Sequence, residues 1–166
     1  MDQLENVAIA GIFDRFHAGH KQTIKEGLEK GKKLYIFLLA SGDQITHPNK
    51  TIELVRPYEE RLANIKAFVK EIGVEDRVIF ADKPLKPGLP PLFGWEIFRD
   101  LDELGWIQCQ ADYEAYKCLG DVFDYIRTVA YRKPPIKYFW IPAVTDEKGE
   151  RLSASKIRRE ELLKGD

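Results

Sequence analysis

The chain has 166 residues and a formal net charge of −1, with 44% hydrophobic and 32% charged residues. This length suits one domain that can bury a core, so we expect a single domain over residues 1–166. The near-neutral charge balance argues against a nucleic-acid partner, which needs a clear excess of Lys and Arg. The longest apolar run, Leu34 to Ala40, is too short to span a membrane, and the acidic N-terminus is unlike a secretory signal. We therefore expect a cytoplasmic protein with no membrane partner.

The first half of the chain alternates between short apolar runs and amphipathic stretches. Strands are predicted at Val7–Phe13, Lys33–Ala40 and Arg77–Ala81. Helices are predicted at His20–Lys30, ending at Gly31, and at Tyr58–Gly73. A polar loop, Ser41–Pro57, separates the second strand from the second helix and is long enough to suggest a functional role.

The second half begins with a segment rich in Pro and Gly, Lys83–Gly94, that cannot be regular structure. Strands are predicted at Trp106–Gln110 and Ile136–Ile141. Helices are predicted at Phe93–Leu104, Glu114–Val129 and Ser155–Leu163. Cys109 and Cys118 have neither the spacing of a disulfide framework nor that of a metal site, so we expect no protein-built metal centre.

Strands that alternate with helices predict an α/β fold, with about five parallel strands and helices on both faces. In such sheets ligands collect at the carboxyl ends of the strands, near the point where the strand order reverses. Residues just after the first, second, fourth and last strands are therefore the candidates for a functional site.

The sharpest candidate follows the first strand, where two histidines, His17 and His20, flank Gly19 at the start of a helix. A helix N-terminus has unpaired N–H groups and a partial positive charge that suit phosphate. Gly19 lets the backbone approach a ligand closely. The imidazoles can donate hydrogen bonds to phosphate oxygens and stabilise charge that develops in a transition state.

A second candidate opens the last predicted helix, where Ser153 and Ser155 precede Lys156 and Arg158. Hydroxyl groups there cap free N–H groups, and the same helix end can hold a phosphate instead. Taken alone, this segment is more readily explained as an ordinary capped, charged helix. Together with His17 and His20, it favours a triphosphate held from two sides across the strand ends.

The run GIFDRFHAGHKQTI, from Gly11 to Ile24, resembles the histidine–any–glycine–histidine signature of the nucleotidyltransferase superfamily. Within that superfamily it is most similar to archaeal-type phosphopantetheine adenylyltransferases. The stretch VRPYEERL around Arg61 and the closing segment with SASKIR, from Ser153 to Arg158, are similar to two further motifs of that family. The resemblance implies a Rossmann-like nucleotidyltransferase fold.

The resemblance also implies a reaction in which ATP and 4′-phosphopantetheine give dephospho-coenzyme A and pyrophosphate, with Mg²⁺ accompanying ATP. By this resemblance His20 stabilises the α-phosphate in the transition state and His17 binds the nucleotide phosphates. Arg158, Ser153 and Ser155 hold the β- and γ-phosphates, and Lys156 adds a cation. The remaining candidate ligand-binding residues are Gly11, Phe13, Asp14, Gly19, Lys50 and Arg61.

Several of these candidates have ordinary alternatives. For Lys50, Arg56 and Arg61 the alternative is a solvated surface charge, and for Arg56 that explanation is the readier one. Asp14 is more readily a residue that fixes the turn than a neighbour of a metal. Trp106, Tyr113 and Tyr116 can line a pantetheine or adenine pocket, although aromatic residues at such spacing are more often part of a core.

The chain departs from the archaeal pattern where Ile12 replaces a threonine and across the region from Leu85 to Lys133. Isoleucine cannot make the hydrogen bond of a hydroxyl group, so the acceptor can differ from 4′-phosphopantetheine. Two alternatives stay open: a nucleotidyltransferase that uses ATP or CTP on another small phosphate, and a nucleotide-binding relative without catalysis. The sequence does not decide between a monomer and a homo-oligomer.

Overall fold

The computed structural model describes residues 3–11, 13–38, 56–80, 101–110, 113–145, 147–150, 157, 160, 161 and 163. Its strands are β1 (Leu4–Gly11), β2 (Gly31–Leu38), β3 (Val78–Phe80), β4 (Leu104–Cys109) and β5 (Lys137–Ile141). Its helices are α1 (Ala18–Lys30), α2 (Tyr58–Glu71) and α3 (Tyr113–Tyr125), and α3 continues into a π-helical turn at Ile126–Ala130. A 3-10 turn, Glu75–Arg77, leads into β3. Near the C-terminus, Ile157, Glu160, Glu161 and Leu163 also have helical backbone.

The strands form one parallel sheet in the order β3-β2-β1-β4-β5. This confirms the predicted α/β class with five parallel strands. The chain leaves β1 first towards β2 and β3, and later returns to the other side of β1 to form β4 and β5. The strand order therefore reverses between β1 and β4, which is the position where such sheets bind ligands.

The two faces of the sheet have separate cores, because successive side chains of a strand point to opposite faces. On one face Val7 and Ile9 of β1 belong to a cluster with residues of α1 and α2, such as Ile24 and Ile65. On the other face Ala8 belongs to a cluster with Phe123 of α3. The prediction of helices on both faces is confirmed.

Some element boundaries differ from the prediction. β1 begins at Leu4 and ends at Gly11, and Phe13 lies in the following loop with a φ of 53°. β4 begins at Leu104, so the helix predicted at Phe93–Leu104 is wrong over residues 101–104, and its earlier part lies outside the described residues. Gly105 makes this start possible, because a Cβ there would stand 2.7 Å from a methyl of Leu4. No helix in the described part of the chain is long and apolar enough to cross a membrane.

Candidate active site

The carboxyl ends of β1 and β4 stop pairing at the reversal point. β1 pairs with β4 only from Asn6↔Leu104 to Ala8↔Trp106. By contrast, β1 stays paired with β2 as far as Gly11↔Leu38, and β4 with β5 as far as Cys109↔Ile141. β1 and β4 thus stop pairing with each other before either strand ends. The loop that carries the candidate histidines leaves β1 where the two strands have separated.

This loop holds an unusual backbone between β1 and α1. Phe13 has a φ of 53° and Arg15 a φ of 48°, a left-handed conformation that side chains larger than glycine rarely adopt. The Phe13 ring folds back over β1, where a Cβ at Gly11 would stand 3.2 Å from it. Such backbone persists only where the surroundings hold it in place, and it concentrates at ligand-binding sites. Gly11 and Phe13 therefore shape the loop through packing.

Asp14 is the polar anchor of the loop. Its carboxylate is buried and accepts hydrogen bonds from Nη1 of Arg15 at 3.0 and 3.1 Å and from the backbone N–H of Arg56 at 3.1 Å. These contacts agree with the interpretation of Asp14 as a residue that fixes the turn. They also join the loop to the start of α2, 42 residues further along the chain.

His17 and His20 cap α1 reciprocally, which the sequence analysis did not predict. His17 is the N-cap residue, and its Nδ1 accepts the backbone N–H of Gly19 at 2.9 Å. Nδ1 of His20 accepts the backbone N–H of His17 at 3.4 Å. The spacing of three residues produces this arrangement, as it does in the serine–glutamate capping box. The helix consequently begins at Ala18, two residues before its predicted start.

The caps determine which imidazole nitrogen carries the proton. A nitrogen that accepts a hydrogen bond has no proton of its own, so the neutral ring must be protonated at Nε2. Nδ1 is the acceptor in both His17 and His20. Each ring thus has an Nε2–H group, which is a hydrogen-bond donor. Two such donors at a helix N-terminus suit an anionic ligand.

The two imidazoles are also held by stacking. Their ring centroids lie 3.8 Å apart with an interplanar angle of 20°. The His20 ring further contacts Phe16 at 5.7 Å and Phe13 at 5.1 Å between centroids. With its Nδ1 bonded to the backbone and its faces packed, His20 has little freedom to rotate. A fixed donor is the requirement for electrostatic stabilisation of a transition state.

Arg15 bridges the histidine loop and the C-terminal helical residues. Its Nη1 binds Asp14, while Nε and Nη2 donate to Glu161 at 3.1 and 3.0 Å. Burial disfavours the charged guanidinium, but the hydrogen bonds and charges of Glu161 and Asp14 outweigh it and raise the pKa of Arg15. The histidine motif includes Arg15, but the sequence does not reveal its partner, because Glu161 lies 146 residues away.

Arg61 is buried, and the alternative that it is a solvated surface charge is wrong. Its side chain has no exposed surface, its Nε donates to the carbonyl of Arg56 at 2.8 Å, and its guanidinium lies 5.7 Å from the Tyr58 ring centroid. Burial lowers the pKa of Arg61, against the opposing effect of the Asp14 charge. Arginine stays charged in spite of such a shift, so Arg61 places a fixed positive charge beneath the loop.

The other charged and aromatic candidates contact neighbouring side chains of the helices and the sheet. Arg56 is half-buried, and its Nη1 lies 3.5 Å from Oε1 of Glu60. Tyr113, at the start of α3, contacts the ring of Trp140 in β5 edge-on, with 4.8 Å between centroids. Trp106 packs against the second core, as the alternative reading of the aromatic residues proposed.

The remaining predicted site residues lie outside the part of the chain that the structure describes. They are Ile12, Lys50, Ser153, Ser155, Lys156 and Arg158. Within the Ser153–Arg158 motif only Ile157 is described, and it has helical backbone, as does Glu161 beyond the motif. Glu161 contacts the histidine loop through Arg15, so these described C-terminal residues are tied to that loop.

Among the described residues, no cluster of three or more His, Cys, Asp or Glu side chains could hold a metal ion. Asp14, the acidic residue nearest the histidines in sequence, has its oxygens bonded to Arg15 and to a backbone N–H. An ion carried on nucleotide phosphates needs only one or two protein carboxylates, and Mg²⁺ commonly binds in that way.

Comparisons with known proteins agree with this geometry. The family model described as "Cytidylyltransferase-like" matches residues 8–160. A phosphopantetheine adenylyltransferase of Methanopyrus kandleri is 27% identical over 95% of this chain and 91% of its own length. Another, of Pyrococcus horikoshii, is 34% identical, but the match covers only 42% of this chain and 43% of that protein.

Solved structures show the same fold at low sequence identity. A bifunctional NMN adenylyltransferase/ADP ribose pyrophosphatase of Francisella tularensis superposes with a TM-score of 0.62 and 18% identity, over 99% of this chain and 43% of its own. A nicotinate-nucleotide adenylyltransferase-like structure of Vibrio parahaemolyticus gives a TM-score of 0.58 and 15% identity, over 98% of this chain and 89% of its own. These findings confirm the resemblance stated from the sequence: the chain belongs to the cytidylyltransferase-like family of nucleotidyltransferases.

Proposed function

We propose that this protein transfers the adenylyl group of ATP to 4′-phosphopantetheine, giving dephospho-coenzyme A and pyrophosphate, a step of coenzyme A biosynthesis. The observation that carries the proposal is the pair of helix caps in which Nδ1 of His17 and Nδ1 of His20 each accept a backbone N–H. A neutral ring whose Nδ1 is an acceptor carries its proton on Nε2, which makes Nε2–H the donor. Support for the acceptor comes from the archaeal relatives, several of which are named phosphopantetheine adenylyltransferase.

In the proposed reaction a phosphate oxygen of 4′-phosphopantetheine attacks the α-phosphorus of ATP. A new P–O bond forms, the bond from the α-phosphorus to the bridging oxygen of the β-phosphate breaks, and pyrophosphate takes that electron pair. The attacking phosphate is already an anion, so no base has to remove a proton. Two hydrogen-bond donors, rather than a base, are what this chemistry needs from the histidines.

His20 is the proposed catalytic residue, with its Nε2–H directed at an oxygen of the α-phosphate, where negative charge grows in the transition state. His17 is proposed to bind the nucleotide phosphates with its own Nε2–H and with the N-terminus of α1. The proposed partners on the opposite side are Arg158, Ser153, Ser155 and Lys156. Lys50 is the proposed contact for the acceptor phosphate.

Mg²⁺ is proposed to accompany ATP and to neutralise part of the charge on its phosphates. The described residues around the loop present donors and cations rather than carboxylates with open oxygens, which fits an ion that the nucleotide carries. The protein's part is to orient the phosphates through His17 and His20.

A second candidate function has a specific observation in its favour. Ile12 stands where archaeal adenylyltransferases have a threonine that touches ligand phosphate, so the chain can serve a different small phosphate or use CTP. The same donors and the same chemistry at the α-phosphorus apply to that reaction.

A pyrophosphate-release assay with Mg²⁺ separates the two. It crosses ATP and CTP against 4′-phosphopantetheine, glycerol 3-phosphate, flavin mononucleotide and nicotinamide mononucleotide. We expect release only with ATP and 4′-phosphopantetheine. Release with a different pair would assign the second function, while ATP binding without release across the panel would favour a relative that binds nucleotide without catalysis.

A further inference from the structure

The ring of Phe16 lies beside the imidazole of His20 in a stacked arrangement. Their centroids are 5.7 Å apart, and the interplanar angle is 28°. Phe16 precedes the histidine–any–glycine–histidine signature, which begins at His17. The aromatic residue that packs on His20 from this position is therefore a feature of this chain and not of the signature itself.

Helix α2 holds the Phe16 ring in turn. The rings of Phe16 and Phe68 lie 5.5 Å apart with an interplanar angle of 54°, a tilted arrangement that aromatic pairs prefer. Phe68 is buried in the core cluster against which Phe16 packs. Nζ of Lys21 lies over both rings, 5.8 Å from the centroid of Phe16 and 5.5 Å from that of Phe68. Continuous contacts thus lead from the core side of α2 through Phe16 to His20.

The segment that carries α2 contacts the histidine loop at two separate places. Just before the helix, the backbone N–H of Arg56 donates to the carboxylate of Asp14. Phe68 lies ten residues beyond Tyr58, the first residue of α2, which is about 15 Å further along the helix axis. The first contact holds the start of the loop, and the second reaches the ring that packs on His20.

We propose that Phe16, backed by Phe68, is a positioning residue that fixes the orientation of the His20 imidazole. The hydrogen bond from the His17 N–H to Nδ1 of His20 is 3.4 Å long, beyond the usual range of about 2.7–3.2 Å, so it restrains the ring weakly. Rotation of the imidazole about its Cβ–Cγ bond takes Nδ1 away from this N–H and changes the direction of Nε2–H. The Phe16 ring opposes the rotation, because a turned imidazole loses the stacked contact.

The effect on catalysis rests on the proposed function, in which Nε2–H of His20 meets the α-phosphate. Phe16→Leu keeps an apolar side chain and removes the ring. We expect kcat to fall about tenfold with little change in KM for ATP, because a misdirected donor costs stabilisation of the transition state more than binding of the substrate. Phe16→Tyr keeps the ring and is expected to retain kcat within about twofold. Phe16 lines an open pocket of about 430 Å³, which can take the added hydroxyl group.

Phe80→Leu is the matched control for the kinetic test. Phe80 packs against the same core cluster and has Nζ of Lys66 over its ring at 5.6 Å. It belongs to β3, which β2 separates from β1 in the sheet, so the substitution is expected to leave kcat unchanged. Equal losses of kcat in Phe16→Leu and Phe80→Leu would overturn the proposal, since the effect would then come from core packing in general.

Nitrogen NMR of the imidazoles, at a pH where they are neutral, tests the positioning without any turnover. Wild-type His20 is expected in the Nε2–H form, and Phe16→Leu is expected to add the Nδ1–H form, because a turned ring no longer has to accept at Nδ1. His17, whose Nδ1 accepts the Gly19 N–H at 2.9 Å, is expected to keep its Nε2–H form in both proteins.

The NMR result separates this proposal from the proposed reaction. An unchanged His20 spectrum in Phe16→Leu overturns the positioning role, whether or not the protein turns over ATP. A changed His20 spectrum supports the positioning role, and if kcat is unchanged in the same variant, the role of His20 in the reaction is the part that fails.

Discussion

At the scale of single residues, each histidine of the loop has two tasks that belong to different ring nitrogens. Nδ1 holds the helix end, and Nε2–H is the donor proposed to meet phosphate. Replacement by alanine removes both together and cannot tell folding from catalysis. Amide side chains separate them, because asparagine reaches the position of Nδ1 and glutamine the position of Nε2.

His20→Asn keeps an acceptor for the backbone N–H of His17 but loses the donor at the Nε2 position. We expect kcat to fall about a hundredfold or more while the melting temperature changes little, as when one oxyanion donor is removed. His20→Gln, the matched variant, is expected to lose part of the cap and to keep more of the activity. Steady-state kinetics and thermal unfolding of both variants check this, and equal activity of His20→Asn and the wild type would exclude His20 from the reaction.

At the scale of elements, the Arg15 bridge connects the loop after β1 to the C-terminal helical residues. Arg15 contacts Glu161 with two nitrogens and Asp14 with a third, and its side chain is only 12% exposed. The proposed phosphate-binding residues Ser155 and Arg158 belong to the segment that leads to Glu161. We infer that Arg15 is a positioning residue that ties the histidine loop to the described helical residues near the C-terminus.

Glu161→Gln weakens this bridge without touching either proposed phosphate-binding motif. We expect kcat/KM for ATP to fall about tenfold, since small misplacements of a binding group slow a reaction that depends on positioning. Glu160→Gln removes a neighbouring exposed charge and is expected to leave kcat/KM unchanged. If the two variants have the same kcat/KM, the bridge does not position the nucleotide.

Titration of Asp124 in α3 is expected to make the free energy of unfolding depend on pH. Burial raises the pKa of this carboxyl, although the N–H of Ile136 and the charge of Arg127 oppose the shift. A raised pKa means that the folded state holds the proton more tightly. The stabilising contribution is therefore present at low pH and is lost as the pH rises through the pKa of the folded state.

Asp124→Asn removes this titration and retains an oxygen that can accept the Ile136 N–H. We expect the free energy of unfolding of the variant, relative to the wild type, to increase from about pH 3 to neutral pH. Urea unfolding at a series of pH values measures the difference. A constant difference across that range would show that the titration of Asp124 does not contribute to stability.

At the scale of the whole molecule, the burial of arginine side chains is a feature that the local sequence pattern does not predict. Arg127 is 1% exposed, and its guanidinium donates to the carbonyls of Leu101, Asp102 and Pro134 at 2.9, 3.1 and 3.0 Å. Arg127 thereby connects the end of α3 with the residues that precede β4 and with those that precede β5. The guanidinium thereby supplies a donor to each of these three carbonyls.

Arg127→Met is expected to lower the free energy of unfolding by about 2–4 kcal/mol, because it leaves three carbonyl groups without their donor. Arg132→Met changes a nearby exposed arginine and is expected to alter stability by less than about 0.5 kcal/mol. Urea denaturation of both variants measures the two effects. A loss as small in Arg127→Met as in Arg132→Met would mean that water replaces the guanidinium.

The sequence predicts the features that depend on local residue patterns, and it misses those that depend on contacts between distant residues. Buried apolar runs such as Leu34–Leu38 identify their strands. The strand–loop–helix setting of His17 and His20 predicts the site, and the motif around them indicates the family that the family model matches. The start of β4 and the burial of Arg61 depend on contacts with distant parts of the chain. The reciprocal cap by His17 and His20 could have been predicted from the sequence, because their spacing of three residues is that of known capping pairs.

The central claim is that the histidine pair serves adenylyl transfer to 4′-phosphopantetheine. Mass spectrometry of the products formed by the wild-type protein from ATP, 4′-phosphopantetheine and Mg²⁺ tests it most directly. The account predicts dephospho-coenzyme A and pyrophosphate in equal amounts. AMP without an adenylylated acceptor, or unchanged substrates beside active turnover of another phosphate with ATP or CTP, would contradict it.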